Sequence, residues 1–273
     1  FLGLFGQREV DVGRDLGTHI LAAHQRLQQV HDAAHIDLFE LLHILQLLGV
    51  HAAGLAVGGV GEQGAGFVQA NVQGVGRDAV PLGADGQGRH AHELARRGVV
   101  VHGIDISQEF IDIAIEDAVE GSTFERLDAR SLGSAEHLRG FDAVICLCQG
   151  AFGLMTAQGD DEVVVRGMAD CLRVGGHIAL SAFNAYFAVK YHVEASFDAS
   201  NGVSHEVTEI RNSAGEVRSA DLWTGCYTPR ELRLLLSKCG LTVSSINSVE
   251  PGSYQEAAPT IESPEFLVKA VKA

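Results

Sequence analysis

The chain has 273 residues, is 46% hydrophobic and carries a formal charge of -15 at pH 7. That apolar share supports a sizeable core, in one large α/β domain or two small ones. An acidic surface repels phosphate backbones and disfavours a nucleic-acid partner. With no apolar run of membrane-spanning length and no secretory leader, the sequence predicts a cytoplasmic protein with reduced thiols.

Composition divides the chain. Residues 1–100 contain no Ser, Lys, Cys, Met, Tyr or Trp, whereas residues 101–273 contain all six, with 16 Ser and all five cysteines. Acidity is uneven too: residues 1–100 hold 10 acids and 7 Lys+Arg, residues 101–273 hold 25 and 13. Folded domains seldom lack six residue types over such a length. The break suggests that much of the sequence before about Gly86 is a shifted or antisense reading of a GC-rich gene. Resequencing the coding DNA tests this, and an intact frame with close in-frame relatives over residues 1–85 would refute it. Two regions follow: an N-terminal segment, 1–76, and an organised domain, 77–273. Within the first, apolar residues from Ile20 to Leu48 recur at spacings of three and four, which suits one or two amphipathic helices. His31 and His35, four apart, have no third ligand placed and read as solvent-facing.

From about Asp85 helical and strand signals alternate, the pattern of a parallel sheet covered by helices on both faces. Arg89 to Arg97 reads as a helix, Val99 to Ile104 as a strand, and Gln108 to Val119 as a helix. Thr123 to Leu127 is a short strand ending at Asp128. Phe141 to Leu147 is a buried strand. Asp161 to Leu172 is a helix stopped by Gly175-Gly176, and His177 to Phe183 is the next strand. Val203 to Ile210 and Glu216 to Cys226 alternate apolar and polar residues around Asn212-Ser213-Ala214-Gly215, a hairpin signature. Thr228-Pro229-Arg230-Glu231 opens a helix with a capping box and Pro at its first position; the helix ends at Gly240. Leu241 to Val249 and Glu265 to Val271 are the final strands.

Ligands of open parallel sheets sit outside the carboxyl ends of the strands. Asp105 stands there, after Val99 to Ile104. Its carboxylate either accepts hydrogen bonds from the two hydroxyls of a ribose or caps the following helix.

Several short motifs in order carry a family resemblance: Gly86-Gln87-Gly88-Arg89, Val101-His102-Gly103-Ile104-Asp105-Ile106-Ser107, Leu127-Asp128-Ala129, Phe141-Asp142-Ala143-Val144-Ile145, and Leu172-Arg173-Val174-Gly175-Gly176-His177-Ile178. With Tyr227 to Leu232 and Cys239 to Val243, this order resembles the class I methyltransferases that use S-adenosylmethionine, over residues from about 85 to 273. The resemblance implies a doubly wound, mostly parallel seven-stranded sheet with an antiparallel last strand and a β-hairpin insertion. It implies S-adenosylmethionine as cofactor. Gly86 and Gly88 would let backbone approach the methionine moiety. Asp105 would hold the ribose with Ile106 beside it, Asp128 would meet the adenine amino group with Ala129 beside it, and Cys148, Gln149 and Phe152 would border cofactor and acceptor. One departure stands out: Ala84 occupies the place of the family's first glycine and Leu82 that of its first acid. The strand there would be Asp78 to Leu82, and Pro81 inside a central parallel strand argues against it.

Other constellations compete. Gly86 to Ala91 also satisfies a dinucleotide fingerprint, and Tyr186 with Lys190 has the Tyr-x-x-x-Lys spacing of short-chain dehydrogenases. That NAD(P) reading lacks the Ser expected a dozen residues earlier, where Arg173 stands. A third reading is a catalytically inactive methyltransferase-like binding protein, with a broken first loop. Cys146 and Cys148 read as small buried hydrophobes, and no metal site is indicated. Methyl transfer from a sulfonium needs a base only if the acceptor must lose a proton. Weak candidates are His192, His205 and Tyr227, with Tyr191, Glu206 and Arg211 also near the insertion. Trp223 reads as hairpin packing. The acidic surface and hairpin lid fit a small-molecule acceptor; the oligomeric state is left open.

Overall fold

The computed structural model describes residues 70–71, 80–83, 88–147, 151–153, 161–192, 195–211, 217–250 and 253–273. In chain order these are β1 (Ala70–Asn71), β2 (Val80–Gly83), α1 (Arg89–Arg96), β3 (Val100–Asp105), α2 (Gln108–Glu116), β4 (Ser122–Arg126), a 3-10 helix (Ala129–Ser134), β5 (Phe141–Cys146), α3 (Asp161–Cys171) and β6 (Leu172–Asn184). Then come α4 (Ala185–Tyr191), β7 (Ser196–Asp198), β8 (Val203–Arg211), β9 (Val217–Tyr227), α5 (Pro229–Lys238), β10 (Leu241–Glu250), β11 (Ser253–Ala257) and β12 (Glu265–Lys272). The helical pattern of Ile20 to Leu48 and the histidines at 31 and 35 lie outside the described residues.

The central strands lie in the order β4-β3-β2-β5-β6-β12-β10. Neighbours from β4 to β6 run parallel, and β12 is antiparallel to both β6 and β10. Among the described residues the sheet is mixed and includes further strands beyond these seven. The strands β1 and β11 pair antiparallel with β3 and β10. The hairpin strands β7 to β9 attach through Phe183↔Cys226 and Asn184↔Tyr227.

Pro81 does stand inside this sheet, opposite His102, in the strand Val80–Gly83; Asp78 and Ala79 lie outside the described residues. The missing N–H is tolerated because β2 is only four residues long and meets β5 at a single pair, Leu82↔Ile145. Two helix ends also differ from expectation. The helix from Gln108 stops at Glu116 rather than Val119, because the Ser122 hydroxyl accepts from the Val119 amide at 3.1 Å and closes a turn there. The chain passes from α3 straight into β6 at Leu172. Gly175, at φ 74°, lies in an irregularity between the pairs Phe141↔Leu172 and Ala143↔His177. The capping box of α5 forms as its sequence dictates: Thr228 accepts from the Glu231 amide and the Glu231 carboxylate from the Thr228 amide at 2.7 Å.

The main core is an apolar layer of Ile104, Val144, Cys146, Ile178, Leu180, Phe266 and Val268, covered by Val165 and Met168 of α3 and Leu232 and Leu236 of α5. Burying each such side chain is worth about 1.5–3 kcal/mol. α3 approaches the 3-10 helix closely enough that a Cβ on Gly167 would lie 2.7 Å from the Leu132 Cβ and 3.1 Å from the Gly133 nitrogen. Gly167→Val is therefore expected to cost roughly 1–3 kcal/mol through overpacking, read as a lowered midpoint in urea. A midpoint unchanged from wild type would show that the two helices separate freely.

Burial is the largest influence on His92, His102, His177 and His192, and it lowers each pKa from the ordinary 6.5. His92 donates from Nε2 to the Ala114 carbonyl at 3.0 Å. The Thr123 hydroxyl donates to the Val101 carbonyl, so it accepts from His102 Nδ1, at 2.9 Å. Each ring binds its proton less tightly folded than unfolded. This contribution to stability is therefore complete above about pH 6.5 and is lost as pH falls through the depressed folded values. Urea midpoints measured from pH 8 to pH 5 should begin to fall near 6.5, before the carboxylates titrate. His92→Phe should flatten part of that fall; a curve level down to pH 5 would contradict it.

Candidate functional site

The carboxyl ends of β2, β3, β5 and β6 open on the same edge of the sheet, as their parallel registers require. At the end of β3 Asp105 is buried, 6% exposed, and its Oδ1 accepts from the Ser107 amide at 2.7 Å. The Asp105 carbonyl accepts from the Leu127 amide, tying β3 to the end of β4. Ser107, not Asp105, caps α2, through its hydroxyl and the Phe110 amide. Ile106 follows with its side chain 58% exposed. A buried carboxylate next to an apolar side chain left in the open is the pairing a nucleoside needs: an acceptor for hydroxyls and a surface for a flat base.

Gly88 begins α1 in the left-handed region, at φ 78°. A Cβ there would meet the Ala114 Cβ and His92 Cε1 at 2.9 Å and the Phe124 ring at 3.0 Å. The glycine thus serves close packing of α1 against α2 and β4, in addition to any part it takes in a ligand loop. Gly86, Cys148 and Gln149 lie outside the described residues.

Asp128 and Ala129 sit one step past β4. Asp128 caps the 3-10 helix by accepting from the Arg130 amide at 2.9 Å, and the Arg130 guanidinium grips the same carboxylate at 2.5–3.0 Å. These hydrogen bonds hold the Asp128 pKa below its ordinary value. The sequence alone gave no sign of the Arg130 grip, because it depends on the helical turn that brings residue 130 back over residue 128. Arg130 also borders a cleft of about 400 Å³ whose other walls include Asp161, Glu162, Arg166 and Asp170.

The insertion brings a further group to this edge. Tyr227 ends β9 beside Asn184 of β6 and is buried. Its ring stacks on Phe152 with centroids 4.8 Å apart and 20° between planes, and its hydroxyl donates to Asp161 Oδ2 at 3.1 Å. Burial and the Asp161 charge push the phenol pKa far above its ordinary value, so this hydroxyl stays protonated. The Gly225 amide donates to the Gly153 carbonyl at 2.8 Å, joining the hairpin base to the segment after β5. Asn184, also buried, caps α4 and donates from Nδ2 to the carbonyls of Thr260 and Ser263, both at 2.8 Å.

The two histidine candidates stand apart. His192 ends α4 against the Phe187 ring, half-buried. His205 on β8 lies flat on Trp223, with centroids 3.8 Å apart, and donates from Nε2 to Asp221 at 2.7 Å. Trp223 packs on this imidazole, a contact that sequence spacing did not reveal. Lys190 binds Glu262 Oε1 at 2.6 Å, and the Tyr191 hydroxyl donates to Oε2 of the same carboxylate, while Tyr186 is exposed. The Lys190 ammonium is thus committed to a carboxylate instead of the Tyr186 phenol that a dehydrogenase pair requires. Cys146 is buried, and among the described residues no three His, Cys, Asp or Glu side chains gather as metal ligands. No helix among the described residues is long and apolar enough to cross a membrane.

Residues 83–176 match the family model of a methyltransferase domain. The CcbJ methyltransferase of Streptomyces caelestis superimposes with a TM-score of 0.55, at 18% identity, over 69% of this chain and 81% of that one. An S-adenosylmethionine-dependent methyltransferase from Clostridium acetobutylicum gives 0.52 at 11% identity, over 70% and 82%. The glycopeptide N-methyltransferase MtfA, complexed with S-adenosylhomocysteine, gives 0.51 at 15% identity, over 73% and 83%. No curated protein matches the chain. These neighbours share the fold, and the family model identifies residues 83–176 as a methyltransferase domain. This chain carries that methyltransferase domain, and the match begins at Gly83, inside β2.

Proposed function

We propose that residues 77–273 form the doubly wound methyltransferase unit and transfer the methyl group of S-adenosylmethionine to a small-molecule acceptor at the carboxyl ends of β2, β3 and β5. The observation that carries this is Asp105: a carboxylate buried at the end of β3, with one oxygen fixed by the Ser107 amide, beside the exposed Ile106. These residues fit an adenosine. Asp105 would hold the ribose hydroxyls and Ile106 would cover the base. Asp128 and Ala129 would lie at the adenine edge, the Asp128 carboxylate shared with Arg130. Gly86 and Gly88 would border the methionine end, with Cys148 and Gln149 near the transferred group. When bound, the cofactor supplies an already activated methyl group, so the protein's task is mainly to orient acceptor and donor and exclude water. A formal charge of -15 suits a small acceptor better than a nucleic acid.

Calorimetry tests this reading. Saturable binding of S-adenosylmethionine and S-adenosylhomocysteine, with none of NADH, is the expected result. A folded protein that binds neither would remove the cofactor assignment and restore the inactive-relative reading.

A further inference from the structure

The Asp128 carboxylate is tied closely to the end of β3. The Leu127 amide donates to the Asp105 carbonyl at 3.0 Å, and Arg126 Nε donates to the Ile106 carbonyl at 3.0 Å. These two bonds lock the ends of β3 and β4 together, and Asp128 lies one residue beyond the lock. The place is open to solvent. Ile106 is 58% exposed, and the side chains of Asp128 and Arg130 are 30% and 44% exposed.

Among the described residues, the Asp128 carboxylate takes its hydrogen bonds from Arg130 alone. Oδ1 accepts from the Arg130 amide at 2.9 Å and from Nε at 3.0 Å; Oδ2 accepts from Nε at 3.0 Å and from Nη2 at 2.5 Å. An ionised carboxylate has about four lone-pair positions. The guanidinium fork covers one on each oxygen, and the amide covers the second on Oδ1. One position remains, on Oδ2. The fork also fixes the plane of the carboxylate, and its hydrogen bonds favour the charged form.

We propose that Arg130 is a positioning residue for base recognition: by holding Asp128 with a single acceptor position exposed, it makes the site select adenine over its keto counterpart, hypoxanthine. The inference rests on the methyltransferase reading above and adds how the nucleoside is chosen. The adenine amino group donates one N–H into that position. Hypoxanthine carries a carbonyl oxygen there, and its nearest donor is the N–H on the neighbouring ring atom. A carboxylate able to turn would follow that donor. One held by the fork cannot follow, and its charge faces the carbonyl oxygen instead. Arg130→Lys keeps a charge near Asp128 but loses the planar fork.

Calorimetry with S-adenosylhomocysteine and with S-inosylhomocysteine, its keto counterpart, tests this. Wild type should favour the adenosyl compound by roughly tenfold or more, the size of one hydrogen bond to a charged group. Arg130→Ala should bind S-adenosylhomocysteine about tenfold more weakly and show a preference of roughly threefold or less. Arg130→Lys should resemble Arg130→Ala in its preference. Asp105→Ala, which alters the ribose contact, should weaken both compounds alike and keep the preference. A fallen ratio is therefore not a symptom of a loosened fold. A wild-type protein that binds both compounds equally, or an undiminished preference in Arg130→Ala or Arg130→Lys, overturns the positioning role while leaving the cofactor site standing. Tighter binding of S-adenosylhomocysteine by Arg130→Ala overturns it too, because Arg130 would then compete with the base for Asp128. Failure of folded wild type to bind either compound overturns the methyltransferase reading itself.

Discussion

Replacing Asp105 by Ala is expected to weaken S-adenosylhomocysteine binding by about a hundredfold or more. Hydrogen bonds to a charged acceptor contribute roughly 1.5–3 kcal/mol each, and every 1.4 kcal/mol is tenfold in affinity. A ribose offers two hydroxyls to a single carboxylate. The effect should be large because Asp105 is buried and its Oδ1 is already fixed by the Ser107 amide. A fixed carboxylate pays little ordering entropy when the ligand arrives. Asp105→Asn is the informative companion. It keeps the shape and can keep an acceptor toward Ser107, but it loses the charge, so it should fall between wild type and Ala. Thermal melts supply the second readout. Ligand at a hundredfold above its Kd stabilises a protein by about 2.7 kcal/mol, and each kcal/mol moves the Tm of a large domain by roughly 2–4 °C. Wild type should therefore gain several degrees with S-adenosylhomocysteine. Asp105→Ala should gain almost none at the same concentration, while its own ligand-free Tm falls by only a few degrees. An undiminished gain would move the ribose site away from β3.

The position of Asp105 was legible in the sequence because it needs only local information. An apolar run of strand length ending in an acid, with a helix following, puts that acid on the strand's carboxyl end. The same holds for Thr228-Pro229-Arg230-Glu231, whose capping box is built from residues three apart. Local spacing also foretold the paired strands β8 and β9, though not that the hairpin would join the main sheet through β6. What the sequence withheld was long-range or side-chain chemistry. Asp128 looked like an exposed acid awaiting a ligand. Its partner Arg130 is two residues away, but the pairing depends on the chain turning into a 3-10 helix that propensity does not announce. Tyr227 looked like a candidate acid or base; its burial against Phe152 and Asp161 joins three segments far apart in sequence. Pro81 misled in the other direction. The rule against proline in a central strand assumes a full ladder on both sides, and β2 has a single pair with β5.

Gly88 and Gly98 allow backbone strain and packing to be separated. Both have φ near +80°, at 78° and 84°. An L side chain in that region costs about 1–2 kcal/mol, and Ala at either position should incur that cost. The surroundings differ. Nothing lies within 4 Å of a Cβ on Gly98, whereas on Gly88 it would stand 2.9 Å from the Ala114 Cβ and from His92 Cε1. The Ala114 methyl cannot swing aside. His92 can move only by giving up its hydrogen bond to the Ala114 carbonyl, within a helix pair where both residues are buried. Overpacking of this kind adds roughly 1–3 kcal/mol, so Gly88→Ala should cost about 2–5 kcal/mol and Gly98→Ala about 1–2. The difference should appear as a Tm lower by several degrees in Gly88→Ala than in Gly98→Ala. Cofactor binding supplies an independent reading, because the turn at Gly88 opens α1 and Gly98 lies at the far end of that helix, on the opposite edge of the sheet. Gly98→Ala should bind S-adenosylhomocysteine as wild type does. Gly88→Ala should bind it at least tenfold more weakly even well below its Tm, since the turn must shift to release the contact with Ala114. Equal Tm values for the two variants would mean that α1 and α2 can part at no cost, and equal affinities would place the methionine end of the cofactor away from this turn.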